Sequence, residues 1–255
     1  MVPWRLFHGR ARRPAITPAL WSQALGYCRY AARLPAAERR ALRELAEDFI
    51  RAKSFDGAAG FEVTPLVRAV IALKACVPVL RLGLDYYRGW SDIVVYPGDF
   101  RVPEEYMDEA GVVHSELREL CGQSLSQGPM VLSWQTIEEE IGLADRDVVI
   151  HECAHKLDIL NGDANGYPPL HADMSAETWA HVFRTAYERF GAMVDESEDT
   201  ALDPYAATDP AEFYAVLTET FFTCPALIVE DFPAVYAELA RFYRQDPLTV
   251  LGDDA

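Results

Sequence analysis

The sequence predicts an α+β protein, mainly helical, with a small, largely antiparallel sheet packed on a helix that carries His151 and His155. Three observations predict it. Apolar residues at helical spacing fill the first third of the chain. Short β-like runs bounded by Gly and Pro punctuate the middle. Helical spacing then returns, with capping residues at the helix ends.

In chain order, residues 36–53 place Leu42, Leu45, Ala46 and Phe49 on one helical face. Residues 65–84 form a more apolar helix with a break near Pro78, where the ring and the missing N–H oppose continuation. Ile93 to Tyr96 is a short strand closed by Pro97-Gly98, and Gly128-Pro129 opens a second at Met130 to Trp134. A weaker strand candidate spans Val112 to His114. Hairpin-like loops between such runs favour antiparallel pairing. Asp145 is a fair N-cap for a helix over about 146–160, which Asn161-Gly162 ends. Further helices are expected over 174–193, from Asp209-Pro210, and over about 233–244. The acidic stretch 195–203 reads as a solvated loop.

A chain of 255 residues is expected to fold as one unit. Within residues 1–255, we expect a flexible basic tail over 1–16, an N-terminal helical part over 17–90 and a chemistry-bearing part over 91–250. Half of the residues are hydrophobic and a quarter charged, an ordinary globular balance. The net charge is −17, from 40 acids and 23 bases, which argues against direct nucleic-acid binding and against anionic membranes. The apolar stretch Val67 to Leu84 is interrupted by Arg68, Lys74, Pro78 and Arg81 and is too polar to span a bilayer. The arginine-rich start lacks the apolar run of a secretory signal. Five widely spaced cysteines without a CxxC pair fit reduced thiols, and a cytoplasmic location is expected.

The chemistry concentrates at His151-Glu152-Cys153-Ala154-His155. On a helix, positions i and i+4 lie one turn apart on one face, so the two imidazoles can reach one metal ion. Glu152 projects beside that ion, where a carboxylate can take a proton from an activated water. Cys153 lies about 200° around the helix from His151 and belongs to the core side. A catalytic zinc takes three protein ligands and keeps one position open. Six residues after His155 comes Asn161, so the third ligand is expected from a later helix. Glu212 and Glu219 both qualify, seven residues apart on a shared face. Glu212 also falls where a capping-box carboxylate belongs, with Asp209 as N-cap and Pro210 first in the helix. Spacing alone leaves the two open.

HECAHKLD with NGDANGYPPL and PYAATDPAEFYAVLTETFF resembles the Mlc titration factor A family of zinc peptidases. The resemblance continues through VIALKACVPVLRLGL, DIVVYPGDF, QGPMVLSW and FYRQDPL, nearly the whole chain. YAATDPAEF is also similar to the zinc-site region of anthrax lethal factor's catalytic domain, where a tyrosine precedes the ligand glutamate by seven residues, as Tyr205 precedes Glu212 here. The resemblance implies a zincin-type, gluzincin-like catalytic part with one Zn2+ per chain on His151, His155 and Glu212. It implies Glu152 as general base and Tyr205 as a hydroxyl donor to a developing oxyanion. Glu219 then becomes the partner that orients a ligand histidine, with Asp158 as a rival. Met130 to Trp134 resembles the sheet-edge strand on which such enzymes hold an extended peptide, and sequence leaves an interior strand open as the alternative. The activity that the resemblance implies is peptide hydrolysis of an aminopeptidase kind. The resemblance also implies a regulatory role, because family members bind and inactivate a transcriptional repressor of sugar-uptake genes. A zinc site kept for stability alone would normally be closed by four protein ligands, and three are found.

Overall fold

The computed structural model describes residues 16–252 apart from 99, 108–112, 121, 125–127, 144 and 197–199, with backbone alone for 100–107, 113–120 and 122–124. Helices start where capping chemistry directs them. Thr17 accepts from Leu20 N at 3.2 Å ahead of α1 (Pro18–Leu25), and α2 (Arg29–Arg33) follows. After α3 (Ala36–Ala52) and β1 (Ser54–Gly57), Thr64 caps α4 (Pro65–Cys76) through Val67 N at 3.3 Å. Proline stands at the first turn of both α1 and α4, where its missing N–H leaves no bond unmade. The apolar stretch therefore ends as a helix at Cys76, ahead of Pro78, and a single 3-10 turn follows at Leu84–Tyr87.

Next come β2 (Asp92–Tyr96), the ladder of β3 (Phe100–Met107) with β4 (Val113–Leu120), then β5 (Gly122–Ser124) and β6 (Met130–Ser133). Val112 lies outside the described residues, while Val113 and His114 open β4. Trp134, expected in a strand, instead begins α5 (Trp134–Glu139) because Ser133 caps that helix through Thr136 N at 3.2 Å.

The sheet corrects the expectation of antiparallel pairing. Its order is β1-β2-β6-β5, and β1, β2 and β6 run parallel, with Phe55 beside Ile93 and Ile93 beside Met130. The α4 segment is the crossover that parallel pairing of β1 and β2 requires. The chain after Pro97-Gly98 does not fold back on β2. It forms the separate β3–β4 ladder, then re-enters beside β2 as β6 in the same direction. Antiparallel pairing in the larger sheet is confined to β5 on β6. Accordingly β6 is interior, not the edge strand expected of Met130 to Trp134, and β5 ends that side of the sheet.

The HExxH segment lies on α6 (Val148–Asp158), capped by Asp147 rather than by Asp145. Asp147 Oδ1 accepts from Ile150 N at 3.1 Å. A short 3-10 turn, Ile159–Asn161, and Gly162 at φ 116° end it. Beyond come α7 (Ala176–Asp195), the 3-10 turn Pro204–Ala207, α8 (Pro210–Thr223), α9 (Pro225–Asp231), α10 (Pro233–Tyr243) and α11 (Pro247–Leu251). One connected set of buried apolar residues reaches from Ile16 to Leu251. Ile16, assigned to the flexible tail on sequence, is fully buried, and Arg43 Nη2 donates to its carbonyl at 2.5 Å. The rest of that tail, residues 1–15, lies outside the described residues. Helix α6 contacts α4, α5, α8, β5 and β6. Its Val149, Cys153, Ala154 and Leu157 are fully buried, so its other face is left for chemistry. No described helix is long and apolar enough to cross a membrane.

Candidate metal centre

Two helices meet at the site. His151 and His155 stand one turn apart on α6 with ring centroids 5.0 Å apart. From the first turn of α8, Glu212 Oε2 lies 3.1 Å from His151 Nε2 and 3.4 Å from His155 Nε2. One ligand atom from each of the three residues falls within 4.8 Å of the other two. Ligand atoms around a tetrahedral zinc at ~2.0–2.1 Å would lie about 3.3 Å apart, so the set suits one small divalent ion. The histidines are each 14% exposed and Glu212 is 18% exposed, open enough for an ion and a substrate to reach them.

Local folding places Glu212. Asp209 Oδ1 accepts from Ala211 N at 2.8 Å and from Glu212 N at 2.9 Å, so the side chain of Asp209 caps α8. The Glu212 carboxylate does not turn back to complete a capping box; it faces the imidazoles. The loop after α6 braces this start. Asp158 accepts from Gly166 N at 2.8 Å and from Tyr167 N at 2.7 Å, and Trp179 Nε1 donates to Gly166 O at 3.1 Å. Gly166 has φ +75°, and a Cβ there would lie 2.6 Å from Pro210 O. Only glycine lets the loop approach α8 this closely. This brace was missed on sequence, although NGDANGYPPL displays the glycine.

Of Glu219 and Asp158, it is Glu219 that lies against a histidine of the pair. His151 Nδ1 donates to Glu219 Oε2 at 3.2 Å, and Asp147 N donates to Glu219 Oε1 at 2.5 Å. Asp158 is occupied by backbone amides. Holding Nδ1–H on a carboxylate leaves Nε2 as the nitrogen that faces Glu212, the tautomer a metal ligand requires. Burial would lower the His151 pKa, but hydrogen bonds to Glu212 and Glu219 outweigh it and hold the ring well above its ordinary 6.5. Burial would raise Glu212, but hydrogen bonds to His151 and His155 keep it well below the usual carboxylate range. A divalent cation would take over the charge that the His151 proton supplies to Glu212.

Glu152 contrasts with both. It is 4% exposed, and its Oε2 is buried without a hydrogen-bond partner among the described residues. Burial pushes its pKa up, against the pull of His155 and His151. A buried carboxylate oxygen without a donor is costly unless a polar group comes to it, as water would beside a metal ion. Tyr205 sits on the 3-10 turn that precedes α8, its amide capped by Asp203 Oδ1 at 2.9 Å, and its hydroxyl donates to Glu212 Oε1 at 3.2 Å. All five residues singled out on sequence, His151, Glu152, His155, Tyr205 and Glu212, are thereby gathered into one site.

Two imidazoles on one helical turn, a carboxylate facing both and a buried carboxylate beside them are features of the metallopeptidase class. Within that class, the chain belongs to the family described as glucose-regulated metallo-peptidase M90, whose profile matches residues 4–244. Over 250 residues it is 39% identical to Mlc titration factor A of Klebsiella pneumoniae (strain 342), an alignment covering 96% of this chain and 92% of that protein. Mlc titration factor A of Yersinia pestis (strain Pestoides F) is 40% identical over 255 residues, covering 98% and 93%.

Proposed function

We propose that the protein is a zinc-dependent peptidase, with His151, His155 and Glu212 holding one zinc per chain and Glu152 as general base. The observation that carries this reading is the convergence of three ligand atoms within 4.8 Å beside the orphaned Glu152 Oε2. Zinc, when bound, supplies Lewis acidity to a substrate carbonyl and acidifies water. Glu152 takes the proton of the attacking water at Oε2 and releases it to the departing amine. Its burial keeps its proton affinity high, which suits both halves of that transfer. Tyr205 Oη swings from Glu212 to donate a hydrogen bond to the oxyanion of the tetrahedral centre. Glu219 holds the His151 ring while this happens. The backbone of β5, at the end of the sheet, offers an extended peptide a strand to pair with.

We assign the activity as aminopeptidase-like. The test is a panel of aminoacyl and blocked-peptide chromogenic substrates, with zinc-loaded wild type beside Glu152→Gln. Cleavage by wild type alone supports the mechanism, and preference for free N-termini supports the aminopeptidase assignment. Full activity in Glu152→Gln would refute it.

A second reading is favoured by a specific observation: relatives covering nearly the whole chain are named as titration factors for Mlc. In this reading the protein sequesters a transcriptional repressor in the cytoplasm, using its net charge of −17 against a basic DNA-binding surface. Capture of purified Mlc that survives Glu152→Gln supports binding independent of catalysis. Absence of capture by zinc-loaded wild type removes this reading and leaves the peptidase.

A further inference from the structure

A lysine and two carboxylates are buried together at the start of α6. Lys74, on α4, is 2% exposed, and its Nζ lies 3.2 Å from Asp147 Oδ2 and 3.4 Å from Glu140 Oε2. The other oxygen of Glu140 accepts from Val148 N at 2.8 Å, and the other oxygen of Asp147 caps the helix through Ile150 N at 3.1 Å. Lys74 therefore ties α4 to the residue that follows α5 and to the N-cap of α6. The same Asp147 donates its backbone amide to Glu219 Oε1, and Glu219 Oε2 accepts from His151 Nδ1. Covalent bonds and polar contacts connect Lys74 to His151 without a break.

We infer that Lys74 is a positioning residue of the metal centre: by fixing Asp147 it keeps that residue's amide on Glu219, and so keeps Glu219 on His151. The inference rests on the assignment of His151, His155 and Glu212 as zinc ligands. Buried ion clusters bring little net stability over apolar packing of equal volume. What this one supplies is direction. The Asp147 amide belongs to a cap residue, outside the regular helical ladder, and its aim depends on where the cap is held. Glu219 in turn needs both of its donors. Its two oxygens accept separately, Oε1 from the Asp147 amide and Oε2 from the His151 ring, whereas a neutral amide side chain would present a donor NH2 to one of them.

The test uses the full chain and two readouts other than turnover: the zinc dissociation constant by chelator competition, and the visible spectrum of the cobalt(II)-loaded protein. Lys74→Met is expected to weaken zinc about tenfold, the low end for groups that act through a ligand's partner, and to change the cobalt spectrum. Lys74→Arg, which keeps the charge, is expected to restore most of both. A folded Lys74→Met protein with wild-type zinc affinity and cobalt spectrum overturns the proposal, even if its melting temperature is lower. Should Lys74→Met not fold, Lys74→Met with Glu140→Gln and Asp147→Asn leaves no charge in the cluster and keeps both helix-start acceptors; the same two results decide. His155→Ala is the control for the underlying assignment. If it leaves zinc affinity unchanged, the ligand assignment fails and this proposal falls with it.

Discussion

Two groups of charged side chains lie along α6, and they are built differently. At the helix start, Lys74, Glu140 and Asp147 are almost sealed from solvent, with each carboxylate oxygen near the lysine or a backbone amide. One turn on, His151, His155 and Glu212 are more exposed, and Glu152 keeps an oxygen without a partner among the described residues. The closed group satisfies itself, whereas the open group is satisfied only by something added. The difference separates architecture from chemistry on one helix. It predicts that substitutions in the open group change metal binding and turnover with little loss of stability, whereas substitutions in the closed group lower stability and loosen the metal centre together.

The sharpest contrast is Glu152→Gln. It should lower turnover by about 10²–10⁴-fold while zinc content and melting temperature stay near wild type. Kinetics beside metal analysis would check it, and a melting temperature lowered by many degrees would blur the contrast. In the closed group, Asp147→Ala removes the α6 cap and leaves Lys74 with Glu140 alone. Denaturant unfolding should show a loss of about 3–5 kcal/mol, the range for a broken buried pair. Tyr205→Phe should lower kcat by about 10²-fold with little change in zinc affinity, since a hydroxyl acting on the oxyanion leaves the ligands alone. An unchanged kcat would return Tyr205 to an ordinary loop role.

Gly166→Ala tests the brace between the two helices. It must adopt a positive φ and displace Pro210 O, for about 1–3 kcal/mol of stability by unfolding and a parallel loss of zinc affinity through Glu212. Wild-type stability would mean the loop yields easily.

The smallest effect is in pH. His151, raised above 6.5, contributes stability to the metal-free protein below that value and loses it as pH rises through the raised pKa. Glu212, held low, contributes above 4.5 and loses its contribution as pH falls through its depressed pKa. The melting temperature of metal-free protein should therefore decline on the alkaline side of pH 6.5. Zinc-loaded protein should escape that decline, because zinc replaces the His151 proton. Parallel decline of both forms would detach His151 from the metal.

The convergence of the candidate site was largely legible in the sequence because its parts are local. HExxH spacing fixes two imidazoles on a turn, and Asp209-Pro210 fixes where α8 begins. The choice of Glu212 over Glu219 was not local: cap and ligand positions coincide there, and resemblance, not spacing, separated them. Sheet topology was hidden for a related reason. β1 is Ser-Phe-Asp-Gly, with one apolar side chain, and its parallel partner lies beyond a whole helix. Pro97-Gly98 resembles a hairpin turn but leads away from the sheet, which hid the parallel pairing, and resemblance rather than any local signal had suggested an edge position for β6. The Lys74 cluster was invisible because Lys74 in an apolar helix reads as an interruption until Glu140 and Asp147 are folded against it.

The most direct test of the account is zinc-edge X-ray absorption on the one-zinc protein, wild type beside His155→Ala. The account predicts only nitrogen and oxygen neighbours at ~2.0–2.1 Å, with two imidazoles in wild type and one in the variant. A sulfur neighbour at ~2.3 Å, or a spectrum unchanged by His155→Ala, would place the metal elsewhere and contradict it.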